Sequence, residues 1–266
     1  MSKVEMAYAS VRGNVHRRRD LPNQDAIHVL EKEGMTLVSI ADGHGSPVCF
    51  RSEIGSKMAV ETANEVLNKH RNIFEQYTEE AHKLLAGKIA RSWMTACLRH
   101  LRANAFADAE VGSLTEDRRR KLGRNALLAY GSTLMTLVIH GDKLTVLNIG
   151  DAELLVKKAS NPNVELLKPS KRLGNETESL ALDKAERYFT IHSYDLDDLE
   201  GVLAATDGYP NSFKSESGFL KVLGDLIGLH KQHGMAAIQS NLGSWLDDTS
   251  VKGSGDDITA CFVARV

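Results

Sequence analysis

Four aspartates of this chain each lie at the edge of an apolar run, where solvent and ions can reach a carboxylate. They are Asp25, Asp42, Asp207 and Asp256. Strand interiors exclude unpaired carboxylates because desolvating a charge is costly, so acids repeated at strand ends predict one shared rim. Hard carboxylate oxygens favour magnesium or manganese as their cation. The pattern therefore predicts an acidic metal site.

The most informative of these stretches is Asp42-Gly43-His44-Gly45, directly after the apolar run from Met35 to Ala41. It sets a carboxylate and an imidazole on a sharp turn at the end of a strand. Taken singly, such signals are weak, because Asp-Gly is a common turn dipeptide and His44 alone suits a turn hydrogen bond as well as catalysis. Gly131-Ser132-Thr133 lacks the lysine of a phosphate-binding P-loop, so that motif is rejected.

The composition is that of an ordinary soluble globular protein, with 266 residues, 42% hydrophobic residues and a formal net charge of -2. These values predict a single domain over residues 1–266 and give no polycationic footprint for nucleic acid. No apolar run is long enough to span a bilayer, and the N-terminus lacks an apolar signal core. The three cysteines form no CxxC pair and are expected to pack in the core of a cytoplasmic protein.

Hydrophobic periodicity predicts strands separated by paired helices, which is typical of an α+β fold. The predicted strands are 4–10, 26–30, 35–41, 131–140, 143–149, 154–158, 164–167, 186–192, 201–206 and 258–266. Helices are predicted after Ser46-Pro47, from Thr78, and around 216–230 and 235–246. Two stacked antiparallel sheets with helices on their outer faces are the simplest way to bury these elements.

One segment breaks the apolar spacing. Between Asp108 and Arg124 the pattern predicts a solvated linker, with Arg118 to Lys121 in an exposed loop or at a helix end. A nucleic-acid role for this basic run is the weaker alternative, since the chain as a whole is not basic.

The order of the motifs is more specific than any one of them. Asn23-Gln24-Asp25, Asp42-Gly43-His44-Gly45, Gly131-Ser132-Thr133, Asn148-Ile149-Gly150-Asp151, Thr206-Asp207-Gly208 and Gly255-Asp256-Asp257-Ile258-Thr259 follow one another as in the metal-dependent protein phosphatase 2C family. The chain resembles that family from about residue 4 to its last strand, and Phe50 to Gly55 resembles its bacterial branch. The resemblance implies a four-layer α-β-β-α sandwich with a two-metal centre at one end of the sheets.

Carried onto this sequence, the family pattern implies that Asp42 bridges two divalent ions and that the Gly43 carbonyl binds one of them. Asp207 and Asp256 would hold the other. Asp25 would supply further charge, because Gln24 replaces one member of the acidic pair of many relatives. Asp257 is expected to support the site from outside or to cap the last strand.

Further roles follow from the same resemblance. His44 would protonate the leaving alkoxide, and one of His16, Arg17, Arg18 and Arg19 would bind the substrate phosphate. Asp151 would help to hold a weak third ion, which the neutral Asn211 impairs. The segment from Lys171 to Lys184 lies where relatives carry a flap beside the cleft.

The resemblance predicts a serine/threonine protein phosphatase that needs two Mn²⁺ or Mg²⁺ ions and uses a metal-activated water without a covalent intermediate. Its partners would be a phosphorylated protein and an opposing Ser/Thr kinase, and the enzyme would be a monomer that binds neither nucleic acid nor membrane. Two alternatives stay open at this point. One is a catalytically silent regulatory module, and the other is a phosphohydrolase for a small metabolite.

Overall fold

The computed structural model describes residues 4–168 and 177–266, and within these ranges it contains two five-stranded antiparallel sheets. The strands are β1 (Val4–Val11), β2 (Ala26–Lys32), β3 (Met35–Ala41), β4 (Leu134–His140), β5 (Lys143–Ile149), β6 (Glu153–Lys158), β7 (Val164–Leu167), β8 (Thr190–Asp195), β9 (Leu199–Ala205) and β10 (Ile258–Arg265). One sheet has the order β1-β10-β9-β6-β7 and the other β2-β3-β4-β5-β8. The antiparallel pairing that the sequence predicted is confirmed.

Along the described chain, all the α-helices lie between the first strand and the last. They are α1 (Asn14–Arg18), α2 (Ser52–Lys69), α3 (Arg71–Phe74), α4 (Glu79–Ala103), α5 (Asp108–Gly112), α6 (Glu116–Arg124), α7 (Glu216–His233) and α8 (Met235–Lys252). No helix in the described ranges is both long enough and apolar enough to cross a membrane.

Three apolar clusters define four layers. The inner cluster joins the facing sides of the two sheets, with Val38 and Leu137 from one and Val202 and Cys261 from the other. A second cluster packs α2 and α4 on the outer side of the β2-to-β8 sheet, and a third packs α7 and α8 on the β1-to-β7 sheet. The predicted α-β-β-α sandwich is therefore confirmed. All three cysteines are free and buried.

The prediction of a linker between Asp108 and Arg124 was wrong, because the chain forms α5 and α6 there. Thr115 caps α6 by accepting a hydrogen bond from the backbone NH of Arg118, which is a standard helix start. Only Leu122 of α6 is buried. A helix with one buried side chain has no apolar stripe, so hydrophobic periodicity could not detect it.

Several element boundaries also differ from the predictions, among them the starts of one helix and one strand. Helix α2 begins at Ser52, not at Ser46-Pro47, because the intervening residues form turns and the NH of Arg51 bonds the carbonyl of Ala129. The strand predicted for 186–192 begins only at Thr190, after a 3₁₀ turn at Ala185–Tyr188.

Candidate active site

Strand register brings Asp25 and Asp42 together. Ala26, the first residue of β2, pairs with Ala41, the last residue of β3. The two aspartates are the next residues outward from this pair, so they lie at the same end of the sheet. Asp151 joins them, because it follows Ile149, which pairs with Leu134 at that end of β4.

The other sheet adds Asp207 and Asp256 from the facing layer. Ala205 at the end of β9 pairs with Ala260 of β10 on one side and with Glu153 of β6 on the other. Asp207 leaves this end of β9, and Asp256 enters β10 from it. The chain crosses between the two sheets at Gly150 to Ala152, so both sheets present their acids at one end of the sandwich. The shared rim predicted from the sequence is thus formed by these acids.

The Asp42 turn is fixed by the segment before β4. The backbone NH of Asp42 donates to Thr133 Oγ1 at 2.9 Å, and the backbone NH of Thr133 donates to the Asp42 carbonyl at 2.9 Å. The His44 NH donates to the Gly131 carbonyl at 3.0 Å. A β-carbon at Gly43 would lie 2.7 Å from the Gln24 carbonyl oxygen and 2.8 Å from that of Ser52, so only glycine fits there.

Asp25 is buried, with 4% of its surface exposed. Its Oδ2 accepts a hydrogen bond from Thr206 Oγ1 at 2.8 Å, and Thr206 Oγ1 in turn accepts one from the NH of Thr259 at 2.9 Å. This chain of bonds ties the acid of one sheet to two strands of the other. Thr133 and Thr206 are positioning residues that the sequence analysis did not identify, although both lie within motifs that it quoted.

The acids repel one another strongly. Burial and then the charges of Asp25, Asp207 and Asp151 raise the pKa of Asp42 well above its usual range. Burial, followed by the charges of Asp257 and Asp256, does the same to the pKa of Asp25. Burial and the charge of Asp151 raise the pKa of Asp207 to about 6. Crowding of this kind disfavours the ionised acids unless a cation lies among them.

Asn211 lies against this cluster. Its Nδ2 donates to Asp207 Oδ2 at 3.1 Å, and this bond favours the ionised form of Asp207. An amide hydrogen therefore occupies a place where an acid would add negative charge.

Asp257 binds protein groups on both of its oxygens. Its Oδ1 accepts from the backbone NH of Gly13 at 2.5 Å, and its Oδ2 accepts from the NH of Gln24 at 2.6 Å. The same Oδ2 lies 2.8 Å from Nδ1 of His16. With 3% of its surface exposed, Asp257 is a buried clamp that joins β10 to the segments before Asp25. The supporting role, or the cap on the last strand, that the sequence analysis expected for Asp257 stays a prediction.

In the basic stretch before Asp25, some side chains form ion pairs and others do not. His16 is paired with Asp257, and Arg17 forms an ion pair with Asp247 of α8. Arg18 and Arg19 are exposed and form no ion pair with any residue in the described ranges. Of the predicted phosphate contacts, Arg18 and Arg19 are therefore the two whose guanidinium groups form no ion pair in the described part of the chain.

His44 lies close to the acids. A β-carbon on Gly131 would lie 2.8 Å from Cδ2 of its ring, so the imidazole packs against backbone. Burial lowers the pKa of His44, while the charge of Asp151 raises it. Burial therefore favours the neutral ring, while the nearby carboxylate of Asp151 favours its protonated form.

The donor chemistry suits a hard divalent cation, although the acids do not enclose one. Across residues 4–168 and 177–266, no three His, Cys, Asp or Glu side chains form a group that could already hold a metal ion. Asp151 Oδ2 accepts from Thr177 Oγ1 at 2.8 Å, but its Oδ1 is buried without a hydrogen-bond partner. A buried, unpaired carboxylate oxygen beside four further acids fits a cation better than it fits any group of the protein.

The sequence was compared with protein families and with known proteins. A model of the family described as Protein phosphatase 2C matches residues 12–247. No curated protein sequence matched the chain.

Several solved structures share the fold along the whole chain. A bacterial serine phosphatase is 14% identical, with 99% of this chain and 98% of that one covered and a TM-score of 0.62. PppA, a regulatory component of T6SS in Pseudomonas aeruginosa, is 18% identical, with 100% and 99% covered and a TM-score of 0.58. The catalytic domain of the serine threonine protein phosphatase PstP, in complex with two manganese ions, is 14% identical, with 99% and 98% covered and a TM-score of 0.59.

Proposed function

Because the chain belongs to the protein phosphatase 2C family, we propose that it is a metal-dependent phosphatase that hydrolyses phosphoserine and phosphothreonine in proteins. The observation that carries the proposal is the convergence of Asp25, Asp42, Asp151, Asp207 and Asp256 at one end of the sandwich, with raised pKa values at four of them. Such a cluster is stable in its ionised form only with cations bound. The solved PstP domain with two manganese ions supports the choice of cation.

Each acid has a proposed task. Asp42 and the Gly43 carbonyl would hold one ion, with Asp42 shared between both ions, and Asp207 and Asp256 would hold the second. Asp25 would add negative charge to the site, and the hydrogen bond from Thr206 would fix the orientation of its carboxylate. When bound, a pair of divalent ions supplies Lewis-acid activation of the phosphate and lowers the pKa of an attacking water.

The remaining residues would act on the substrate. Arg19 is free to contact the phosphate dianion, and His44 would give a proton to the leaving serine or threonine oxygen. Asp257 would keep the Gly13-to-Gln24 segment in place through its three contacts, so it acts on the reaction only by positioning.

Further parts of the proposal concern the setting of the enzyme. We propose one phosphatase domain over residues 1–266, acting as a cytoplasmic monomer on phosphorylated proteins opposite a Ser/Thr kinase. Residues 171–176 of the flap proposed for Lys171 to Lys184 lie outside the described residues. In its described part, the NH of Leu180 donates to the Ser132 carbonyl at 2.9 Å, beside the Asp42 turn.

The function is tested with a panel of phosphoserine peptides, phosphothreonine peptides and small phosphorylated metabolites, each with added Mn²⁺, with added Mg²⁺ and after EDTA. We expect metal-dependent phosphate release from the peptides and none after chelation. Release from metabolites alone would support a small-molecule phosphohydrolase. No release from any substrate, in protein shown to be folded, would support a regulatory module.

The role of His44 is tested by the dependence on the leaving group. A serine alkoxide needs a proton far more than a nitrophenolate does, so we expect His44→Gln to slow phosphopeptide hydrolysis about 10²-fold or more. Hydrolysis of p-nitrophenyl phosphate should fall much less. The turnover of the variant and the wild type is measured by steady-state kinetics on both substrates at saturating Mn²⁺. An equal loss of turnover on both substrates would indicate damaged metal geometry.

The contact between Asn211 and Asp207 predicts a weak third cation site. We expect Asn211→Asp to tighten the weakest phase of Mn²⁺ binding about tenfold, or ~1.4 kcal/mol, because it adds a charge beside Asp207 and Asp151. Calorimetric titration of the wild type and the variant measures this phase. An unchanged weak phase would show that residue 211 does not act on bound cations.

A further inference from the structure

Helices α2 and α4 lie side by side on the outer face of the sandwich and enclose a cleft of about 430 Å³. Four basic side chains line it, namely Lys69 from the end of α2 and Lys88, Arg91 and Arg99 from α4. We call these four residues and the cleft between them the basic groove. Thr62, Ser92 and Thr95 add hydroxyl groups to the lining, and Glu65 is the one acid in it.

The cations of the basic groove lack the partners that other surface cations of this protein have. Lys57, Lys83, Lys121 and Lys252 each pair with an acid four residues earlier on the same helix. Within the described part of the chain, none of the four groove cations forms an ion pair. Their charges are therefore available to a ligand.

The sequence of α4 shows that this charge is concentrated. From Ala81 to Ala103 the helix contains Lys83, Lys88, Arg91, Arg99 and Arg102 but no acid, in a protein whose formal net charge is -2. Lys88, Arg91 and Arg99 follow one another at helical spacing, which places them along one side of the helix. The pKa of His70 is lowered by burial and then by Lys88 and Lys69, so the fields of these two lysines from different helices overlap.

The shape and lining indicate the kind of ligand. From Lys88 to Arg99 the groove runs along α4 for about 16 Å, the length of roughly five residues of extended peptide. No Phe, Tyr or Trp lines it on which nucleic-acid bases could stack. No exposed large apolar side chain lines it that could insert into a membrane.

We propose that the basic groove binds an extended acidic segment of a protein partner. Thr62, the lining residue nearest to the start of α2, lies about 15 Å along that helix from Ser52, beside the Asp42 turn. The groove is thus a binding site separate from the acid cluster, and its occupation does not depend on the proposed phosphatase activity. Complementary charge at such a surface mainly sets the association rate and the choice of partner.

Direct binding tests the proposal. The probe is a fluorescein-labelled decapeptide rich in Glu and Asp, with a peptide of the same length in which Gln and Asn replace the acids. Fluorescence anisotropy at low salt should show binding of the acidic peptide only, weakening as salt rises. The double variant Lys88→Gln/Arg91→Gln should weaken this binding at least tenfold.

A matched control separates the groove from net charge. Lys83→Gln/Arg102→Gln removes the same charge from the same helix outside the groove, and we expect less than a twofold effect. Hydrolysis of p-nitrophenyl phosphate with Mn²⁺ should be the same in both double variants as in the wild type. Thermal melting checks that both remain folded.

Three outcomes would overturn the proposal. The first is equal weakening by both double variants, which would show a general effect of charge. The second is no measurable binding of the acidic peptide. The third is tighter binding of a twelve-nucleotide single-stranded DNA, or of vesicles with phosphatidylserine, through Lys88 and Arg91, which would assign the groove to a different class of partner.

Discussion

Asp42→Asn is expected to reduce metal-dependent phosphate release at least about 10³-fold at saturating Mn²⁺ while the protein remains folded. The reason is the proposed sharing of Asp42 between two cations, since losing an outer partner of a metal ligand already costs 10- to 100-fold. The amide keeps the size of the side chain, and the backbone bonds to Thr133 do not involve the carboxylate.

The fold of this variant can be checked independently. In metal-free buffer its melting temperature should equal or exceed that of the wild type, because the charges of Asp25, Asp207 and Asp151 no longer oppose an ionised residue 42. Asp225→Asn makes the same chemical change at an exposed position on α7 and should leave turnover unchanged. Near wild-type turnover in Asp42→Asn would refute the proposed role of this residue.

The second large effect concerns stability and pH. Burial and the charge of Asp151 raise the pKa of Asp207 from 3.8 to about 6, so the folded protein holds this proton more tightly than the unfolded chain does. Below about pH 4, Asp207 therefore does not lower the free energy of unfolding. Its destabilising effect grows as the pH rises towards 6 and is complete above that. The full cost is about 3 kcal/mol, from roughly two pKa units at 1.36 kcal/mol each.

Asp207→Asn should remove this cost. In EDTA, we expect the variant and the wild type to be equally stable near pH 4, and the variant to be more stable by about 3 kcal/mol at pH 7. Denaturant unfolding at several pH values measures the difference. If the difference in unfolding free energy between variant and wild type did not change with pH, the pKa of Asp207 would not be raised in the folded protein. Adding Mn²⁺ should stabilise the wild type more than the variant.

Local patterns predicted most of the fold for a physical reason. Strands such as β3 and β4 are buried and bounded by turn residues, so their apolar runs are visible in the sequence. Helices α2 and α4 carry apolar faces with helical spacing. Helices α5 and α6 bury few side chains and were missed, since capping and surface ion pairs leave only a faint local pattern.

The site was predictable in its acids but not in their supports. Asp25, Asp42, Asp207 and Asp256 could be grouped because each one follows or precedes a strand, and paired strands end together. The partners of Asp257 could not be predicted, because its bond to Gly13 joins residues 244 positions apart. The ion pair of Arg17 with Asp247 could not be predicted for the same reason, because these residues are also far apart in the sequence. Within the described residues, this pair leaves Arg18 and Arg19 without ion pairs.

The position of β10 in its sheet has a consequence for how the protein comes into being. This strand lies between β1 and β9, and its neighbour Asp257 holds the segment that leads to Asp25. Among the described strands, the ribosome makes β1 first and β10 last. Because β10 is the strand that pairs with β1, the backbone groups of β1 stay unpaired until β10 has been made. Contacts this distant in sequence also fold slowly. We therefore expect a chain that ends before Asp256 to leave β1 unpaired and the acid cluster incomplete.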